Sequence, residues 1–331
     1  MNLISSAPTG WQRFDYFLQQ LQAALTLAEA TDNPALSLYQ QNIRTPLFML
    51  EALTRLYRDM HNKRLFENLN ERFKSFEDLL GVIDYYEGFN KEFSAKENIP
   101  PTVKEFINKQ MNNKLTDLNE MLADRSWMGS DNKRMKKITS KLAKADWPNP
   151  EDDRAGVRKY YNKSISKVVK NVEINKISFH SVEKDVHELR RELRWLSIYP
   201  QALRGLIQMK PTPDSPEFLK KYLTPEIINS PFNKMPGPGD LQDIIYVNAG
   251  YFYALSWLIA ELGKLKDNGL RIVILKEALQ SRSKLSDEEA EKQALVLCGE
   301  GQQSTDDILK RAKEISELFF HEKIPERIVC V

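Results

Sequence analysis

Apolar residues recur three and four positions apart along most of the chain, which is the period of an amphipathic α-helix. Sustained strand-like alternation is absent from the sequence. We therefore expect an all-α fold, an antiparallel helical bundle of about ten helices. The clearest predicted helices cover about 11–29, 34–60, 63–93, 103–122, 241–266, 269–279, 286–296 and 304–320.

Prolines and short polar residues mark the ends of these helices. The turn at Asp32-Asn33-Pro34 ends the first one, because proline cannot continue a helix and asparagine favours turns. Ser286 with Glu289 has the capping-box spacing, in which each side chain bonds the other residue's backbone amide. Ser304 is placed to cap the last helix.

Two stretches differ from the rest and suggest three segments, 1–125, 126–179 and 180–331. Residues 133–170 contain 12 basic and four acidic residues, a local excess of +8. Residues 211–239 contain seven of the 16 prolines, which predicts an irregular insertion in the third segment.

The basic stretch is compatible with a solvated helix pair joined by a loop at 147–150, or with an anion-binding surface. Trp127, Trp147, Tyr160 and Tyr161 flank it and have the chemistry to stack on bases. Aromatic residues beside lysines more often pack in a core, so we expect core contacts here.

Composition excludes several classes of protein. With 41% hydrophobic and 28% charged residues the chain is not an intrinsically disordered tail. A net charge of +2 argues against a surface that binds nucleic acid all over, and we do not expect a nucleic-acid partner. Cys298 and Cys330 are too few to form a disulfide scaffold.

The sequence predicts neither a secretory signal nor a membrane span. Residues 1–10 lack the basic start and apolar stretch of a signal peptide. The longest run without charge is 17 residues, 244–260, whereas a span needs about 20 apolar residues. We expect a core helix there and a cytoplasmic protein.

A basic stripe is the most suggestive feature of the second half. On a helical wheel Lys184, His187, Arg190, Arg191 and Arg194 share one arc, opposite an apolar stripe. Arginine forks and clustered positive charge bind phosphate oxygens. The other interpretation is a solvated face whose arginines pair with acids on a neighbouring helix.

The helix that begins at Arg44 has a similar arc, with Glu51, Arg55 and Arg58. Glu51 lies four residues before Arg55, a spacing that favours an ion pair within the helix. This pairing favours a structural role for the face.

A weak internal repeat links these two helices. Gln41-Asn42-Ile43-Arg44 precedes Leu80-Gly81 and Asp84, and His187-Glu188-Leu189-Arg190 precedes Leu262-Gly263 and Asp267. Arginine and glycine are 37 residues apart in the first copy and 73 in the second, or 44 without the 29-residue insertion. We therefore expect two pseudo-repeated halves.

The second copy resembles the CHAD domain, the conserved histidine α-helical domain. His187, Arg190 and Arg194 match its basic motif, and Leu262-Gly263-Lys264-Leu265-Lys266-Asp267 matches its Leu-Gly-x-x-basic-Asp turn. Trp195 and Ser197 depart from the motif. The resemblance implies a helical bundle whose central basic cavity binds inorganic polyphosphate.

His187 and Lys266 each have a structural alternative. Basic neighbours disfavour protonation of His187 and a bound polyanion would favour it, but the ring can also bond a nearby carboxylate or carbonyl. His180 and Glu183 lie close in sequence, yet no Glu-x-x-His spacing supports a metal site. Lys266 either complements a helix end or reaches the cavity.

The leading hypothesis is a non-enzymatic module that binds inorganic polyphosphate or another polyanion, without a cofactor or a metal. No catalytic motif or phosphate-binding glycine loop is present in the sequence, so an enzyme is the weakest alternative. A protein–protein scaffold using the 133–170 face or the proline-rich insertion is the other alternative. The expected ligands are His187, Arg190, Arg191, Arg194, Lys266 and Arg44.

Overall fold

The computed structural model describes residues 9–129, 132–175, 178–212 and 216–330. It is 75% helical with two short parallel strands, so the predicted all-α class is confirmed. The α-helices in these ranges are α1 Thr9–Glu29, α2 Pro34–Gln40, α3 Arg44–Met60, α4 Lys63–Ser94, α5 Pro101–Asp124, α6 Lys133–Ala143, α7 Pro150–Asn175, α8 His187–Ala202, α9 Pro225–Ile228, α10 Ala249–Gln280, α11 Asp287–Cys298 and α12 Thr305–His321.

The chain forms two compact units. Unit 1 comprises the described parts of 1–96 and 104–160, and unit 2 those of 97–103 and 161–331. The division falls inside α7, whereas the sequence pattern suggested segment boundaries at 125 and 179. Because Asp153 on the first turns of α7 is buried, the beginning of that helix belongs to the core of unit 1.

Unit 1 is organised around the α3–α4 pair, with α1 packed on α3. Residues 61 and 62 alone join α3 to α4, which makes the two helices an antiparallel hairpin. Thr54 on α3 donates a hydrogen bond to Asn70 on α4 at 3.0 Å. Phe66 and Phe73 supply fully buried rings to the core.

A buried polar cluster joins three helices of unit 1. Arg13 on α1 donates to Asp153 on α7 at 2.7 Å and to the hydroxyl of Tyr57 on α3 at 2.7 Å. Tyr57 in turn donates to Asp153 at 2.6 Å, and burial raises the pKa of this phenol. No sequence pattern pointed to this cluster, since its members lie far apart in the chain.

Unit 2 is organised around α10, against which α8, α11 and α12 pack. Apolar side chains surround most of α10, as expected for the central helix of a core. Val182, in a π-helical turn over Val182–Val186, lies against Gly269 of α10. In the described ranges no helix is both long and apolar enough to span a membrane.

Three sequence predictions about the elements need correction. Residues 34–60 form two helices, because Asn42 adopts a left-handed φ of 53° between α2 and α3. Residues 249–280 form one helix, since Gly269 does not interrupt α10. The strands β1 Ile207–Lys210 and β2 Ile245–Asn248 were missed; they pair in parallel with Ile207 opposite Ile245.

Other predictions are confirmed. Ser286 and Glu289 form the capping box of α11, and the Ser304 side chain caps α12. The proline-rich insertion is irregular, with only short helical turns such as α9. Residues 213–215 of the insertion lie outside the described residues.

Candidate functional site

In unit 2 an arginine of α8 lies against a glycine of α10. A Cβ atom at Gly263 would be 3.0 Å from Nε of Arg190, so glycine leaves the space that the guanidinium fills. Nε donates a hydrogen bond to the carbonyl oxygen of Ile259, one turn earlier on α10, at 3.1 Å. We call this contact, together with the nearby His187 and Lys266, the unit 2 crossing.

The Arg190 guanidinium is held without a carboxylate ion pair among the described residues. Burial lowers the pKa of Arg190, and the charge of Asp267 only partly opposes that effect. No described residue bonds its two Nη groups. A desolvated guanidinium with unused donors is receptive to an anion.

His187 lies one turn before Arg190 on α8. Burial lowers the pKa of its imidazole most, and the charges of Lys266, Arg191 and Arg190 lower it further, while Glu188 opposes them. Within the described ranges its ring makes no hydrogen bond. The interpretation that His187 bonds a neighbouring carboxylate or carbonyl is therefore wrong for the described residues.

Lys266 lies close enough to His187 for the two charges to interact. Its ammonium pairs with Asp267 at 2.9 Å, and 18% of the side chain is exposed. Because α10 continues to Gln280, Lys266 is not in a last turn. The helix-end explanation for Lys266 is therefore wrong.

The remaining residues of the predicted stripe lie at its edge. Arg191 is exposed and pairs with Glu188 at 2.6 Å. Arg194 is half-buried and has interaction partners of its own. Lys184 lies in the π-helical turn before α8 and is exposed. The structure therefore brings Lys266, Arg191 and Arg190 close enough to His187 for their charges to act on it.

Unit 1 contains a matching crossing, formed by Arg44 on α3 and Gly81 on α4. A Cβ atom at Gly81 would lie 3.0 Å from Nη2 of Arg44. Nε and Nη2 donate to one carboxylate oxygen of Glu77 at 3.0 and 2.7 Å. Nη1 donates to Asp84 at 2.6 Å. All three guanidinium nitrogens of Arg44 therefore donate to carboxylates.

The glycines allow a residue-by-residue comparison of the two crossings. Glu77 lies four residues before Gly81, and Ile259 lies four residues before Gly263. Asp84 follows Gly81 by three residues, which makes Lys266 its counterpart. Both carboxylates of the unit 1 crossing are thus replaced in unit 2, one by an apolar residue and the other by a cation.

The glycines do not form the turns that the resemblance implied. Gly81 lies inside α4 and Gly263 lies inside α10, and both helices continue for more than three turns beyond them. Each glycine serves instead as the place where an arginine of the antiparallel neighbour approaches the helix. Arg44 belongs to unit 1, and its charge is neutralised there.

The basic stretch forms a helix pair, α6 and α7, joined by a loop that includes Trp147. Trp127 and Tyr161 are each 1% exposed, which confirms that they are core residues. Trp147 packs against Phe14 and Tyr57, and its Nε1 donates to the carbonyl of Leu142. These rings therefore do not provide a stacking surface for bases.

Two clefts in the described structure are lined by residues other than the predicted ligands. One, of about 530 Å³, lies in unit 1 and includes Asn90, Lys104 and Asn108. The other, of about 570 Å³, lies in unit 2 and includes Asn162, Lys170 and Glu326. Neither contains a predicted ligand residue. The basic groups of the unit 2 crossing lie on a partly exposed helix face.

No group of three or more metal-ligating side chains is present in the ranges that the structure describes. No protein-family model, no curated protein and no solved structure matches this chain. The resemblance to the CHAD domain stays a prediction.

Proposed function

We propose that this protein binds inorganic polyphosphate on the unit 2 crossing, through Arg190, His187 and Lys266, with Arg191 and Arg194 at the edge. The observation that supports it is the exchange of both carboxylates of the unit 1 crossing for Ile259 and Lys266. The same half-buried arginine contact is neutralised in one unit and lacks a carboxylate ion pair in the described part of the other.

The donors and charges of Arg190, Lys266 and His187 are suited to binding phosphate groups. A guanidinium with unused Nη groups can donate paired hydrogen bonds to phosphate oxygens, and Lys266 adds a point charge. His187 becomes a donor at both ring nitrogens once an anion favours its protonated form. We infer a cytoplasmic binding module that holds its ligand and does not turn it over.

The test transfers the carboxylates of unit 1 to unit 2. Lys266→Asp and Ile259→Glu should each give Arg190 a carboxylate partner, and each should weaken binding of labelled long-chain polyphosphate by at least about tenfold. Lys284→Asp is the matched control, since Lys284 is exposed in a loop of the same unit and the charge change equals that of Lys266→Asp.

Binding should also fall as salt rises, because phosphate contacts release counterions. Equal affinity in wild type, Lys266→Asp and Ile259→Glu would contradict the proposal. Circular dichroism checks that each variant keeps its helices. Both substitutions place a carboxylate near Arg190. Lys266→Asp also removes the pair with Asp267, whose side chain is 66% exposed, so we expect only a small change in stability.

A further inference from the structure

Helix α6 presents a row of lysines to solvent on unit 1. Its apolar stripe of Met135, Ile138 and Leu142 is buried. At about 100° per residue the lysines fall on the opposite side of the helix. They are Lys133, Lys136, Lys137, Lys141 and, at the C-cap, Lys144, and all five are exposed.

Four of these lysines are not neutralised by nearby residues. Lys136, Lys137, Lys141 and Lys144 make no ion pair in the ranges described, and 133–145 contain no acidic residue. Three other lysines of unit 1 differ in this respect, whereas the exposed Lys109 also makes no ion pair in the ranges described. Lys63, Lys74 and Lys91 each pair with a carboxylate four residues away.

The lysines are closely spaced along α6. With a rise of about 1.5 Å per residue, Lys137 and Lys141 are about 6 Å apart along the axis. Arg134 is half-buried beside the row, and its Nε donates to the carbonyl of Arg125 at 2.7 Å. The lysines themselves offer point charges on flexible stems.

The surroundings of the row narrow the choice of ligand. Trp127 is buried and Trp147 packs against Phe14 and Tyr57, so neither of these two rings is free to stack on the bases of a single-stranded nucleic acid. The apolar stripe is in the core, so α6 cannot insert it into a bilayer. Asp146, Glu151 and Asp152 are exposed and follow the row in the sequence, and they would repel a broad anionic surface such as a membrane.

We infer that the α6 lysine row is a second binding surface for a linear phosphate chain, held by charge alone. The identity of the chain as inorganic polyphosphate rests on the proposed function. A narrow ligand with a phosphate at every link satisfies the row and avoids the carboxylates beyond it. The affinity comes from counterion release and should be steeply dependent on salt.

The experiment measures binding of labelled long-chain polyphosphate to full-length protein in a Lys266→Asp background, which removes the unit 2 crossing. Replacing Lys136, Lys137, Lys141 and Lys144 by Gln should reduce the remaining affinity by at least about tenfold at low salt. The slope of log K against log salt should fall by about 3. The control replaces Lys63, Lys74, Lys91 and Lys109 by Gln, with the same loss of charge.

The outcomes separate this inference from the proposed function. An equal loss in the α6 variant and the control would overturn the inference. If the α6 variant alone loses binding and Lys266→Asp has no effect, the inference stands and the proposed function is wrong. If duplex DNA or phosphatidylserine vesicles displace the chain from α6 at equal phosphate concentration, the occupant is not a linear phosphate chain and the inference is wrong.

Discussion

The arginine–glycine crossings of the two units share a helix arrangement and differ in charge. In each, an arginine fills the space beside a glycine of the antiparallel neighbour. Arg44 meets two carboxylates, Glu77 and Asp84, within 3.0 Å. Arg190 meets one backbone carbonyl, and the cation Lys266 stands where Asp84 stands in unit 1.

In both crossings the glycine leaves the space in which the arginine lies. Two further positions determine whether carboxylates surround its guanidinium. With carboxylates at the positions four before and three after the glycine, the guanidinium is satisfied and the contact joins two helices. With an apolar residue and a cation there, the desolvated guanidinium gains most from an external anion. Under the proposed function, the same arginine–glycine contact joins two helices in unit 1 and binds an external anion in unit 2.

The largest expected difference is in stability. Arg44→Met leaves Glu77 without its partner in a buried place and should lower the unfolding free energy by about 2 kcal/mol. Arg190→Met removes a desolvated cation and one bond to a carbonyl, so its unfolding free energy should stay within about 1 kcal/mol of wild type. Urea unfolding followed by tryptophan fluorescence measures both.

The pair of variants has an internal control. Glu77→Gln combined with Arg44→Met removes the stranded charge and should recover part of the loss. Arg190→Met should remove polyphosphate binding at the unit 2 crossing, and leave only the weaker binding by α6, although it is the less destabilising change. A large stability loss in Arg190→Met would mean that Arg190 is a structural residue like Arg44.

Local signals made much of the fold predictable. Pro34, the Ser286–Glu289 capping box and the helical period located most helix ends, because these features act within one or two turns. The break at Asn42 was missed because any non-glycine residue rarely takes a left-handed φ. The parallel pair β1–β2 was missed because its strands are four residues long and lie far apart in the chain.

The site was only partly predictable. The wheel grouped His187 with Arg190, since neighbours on one helix follow from the period alone. It could not show that Lys266 approaches His187, or that Glu77 and Asp84 neutralise Arg44, because these contacts depend on how two helices pack. Both glycines could be read in the sequence. The sequence alone, however, does not distinguish a glycine in a turn from a glycine inside a helix that leaves space for a neighbouring arginine.

An intermediate effect should appear in the pH dependence of binding. Burial and nearby cations lower the pKa of His187, and a bound polyanion raises it again. Binding therefore takes up a proton and should strengthen about threefold to tenfold between about pH 8 and pH 6. His187→Gln should remove most of this dependence in a titration with labelled polyphosphate.

The lowered pKa of His187 also affects the stability of the free protein. Acidification strengthens binding but should destabilise the unliganded fold. Between its folded pKa and about 6.5, His187 binds more protons in the unfolded chain than in the fold. Acidification through that window should therefore lower the unfolding free energy of wild type more than that of His187→Gln. Affinity that is independent of pH in both proteins would remove His187 from the site.

The smallest expected effect concerns the glycines themselves. Alanine in a helix interior is favoured over glycine by about 1 kcal/mol, but a Cβ at either glycine would lie 3.0 Å from its arginine. Arg190 bonds one carbonyl and can move aside, so Gly263→Ala should raise the unfolding free energy by about 0.5 kcal/mol. Arg44 is held by two carboxylates, so Gly81→Ala must loosen those bonds and should be neutral or slightly destabilising. A larger gain for Gly81→Ala than for Gly263→Ala, measured by urea midpoints, would mean that the carboxylates do not fix Arg44 more firmly than the single carbonyl fixes Arg190.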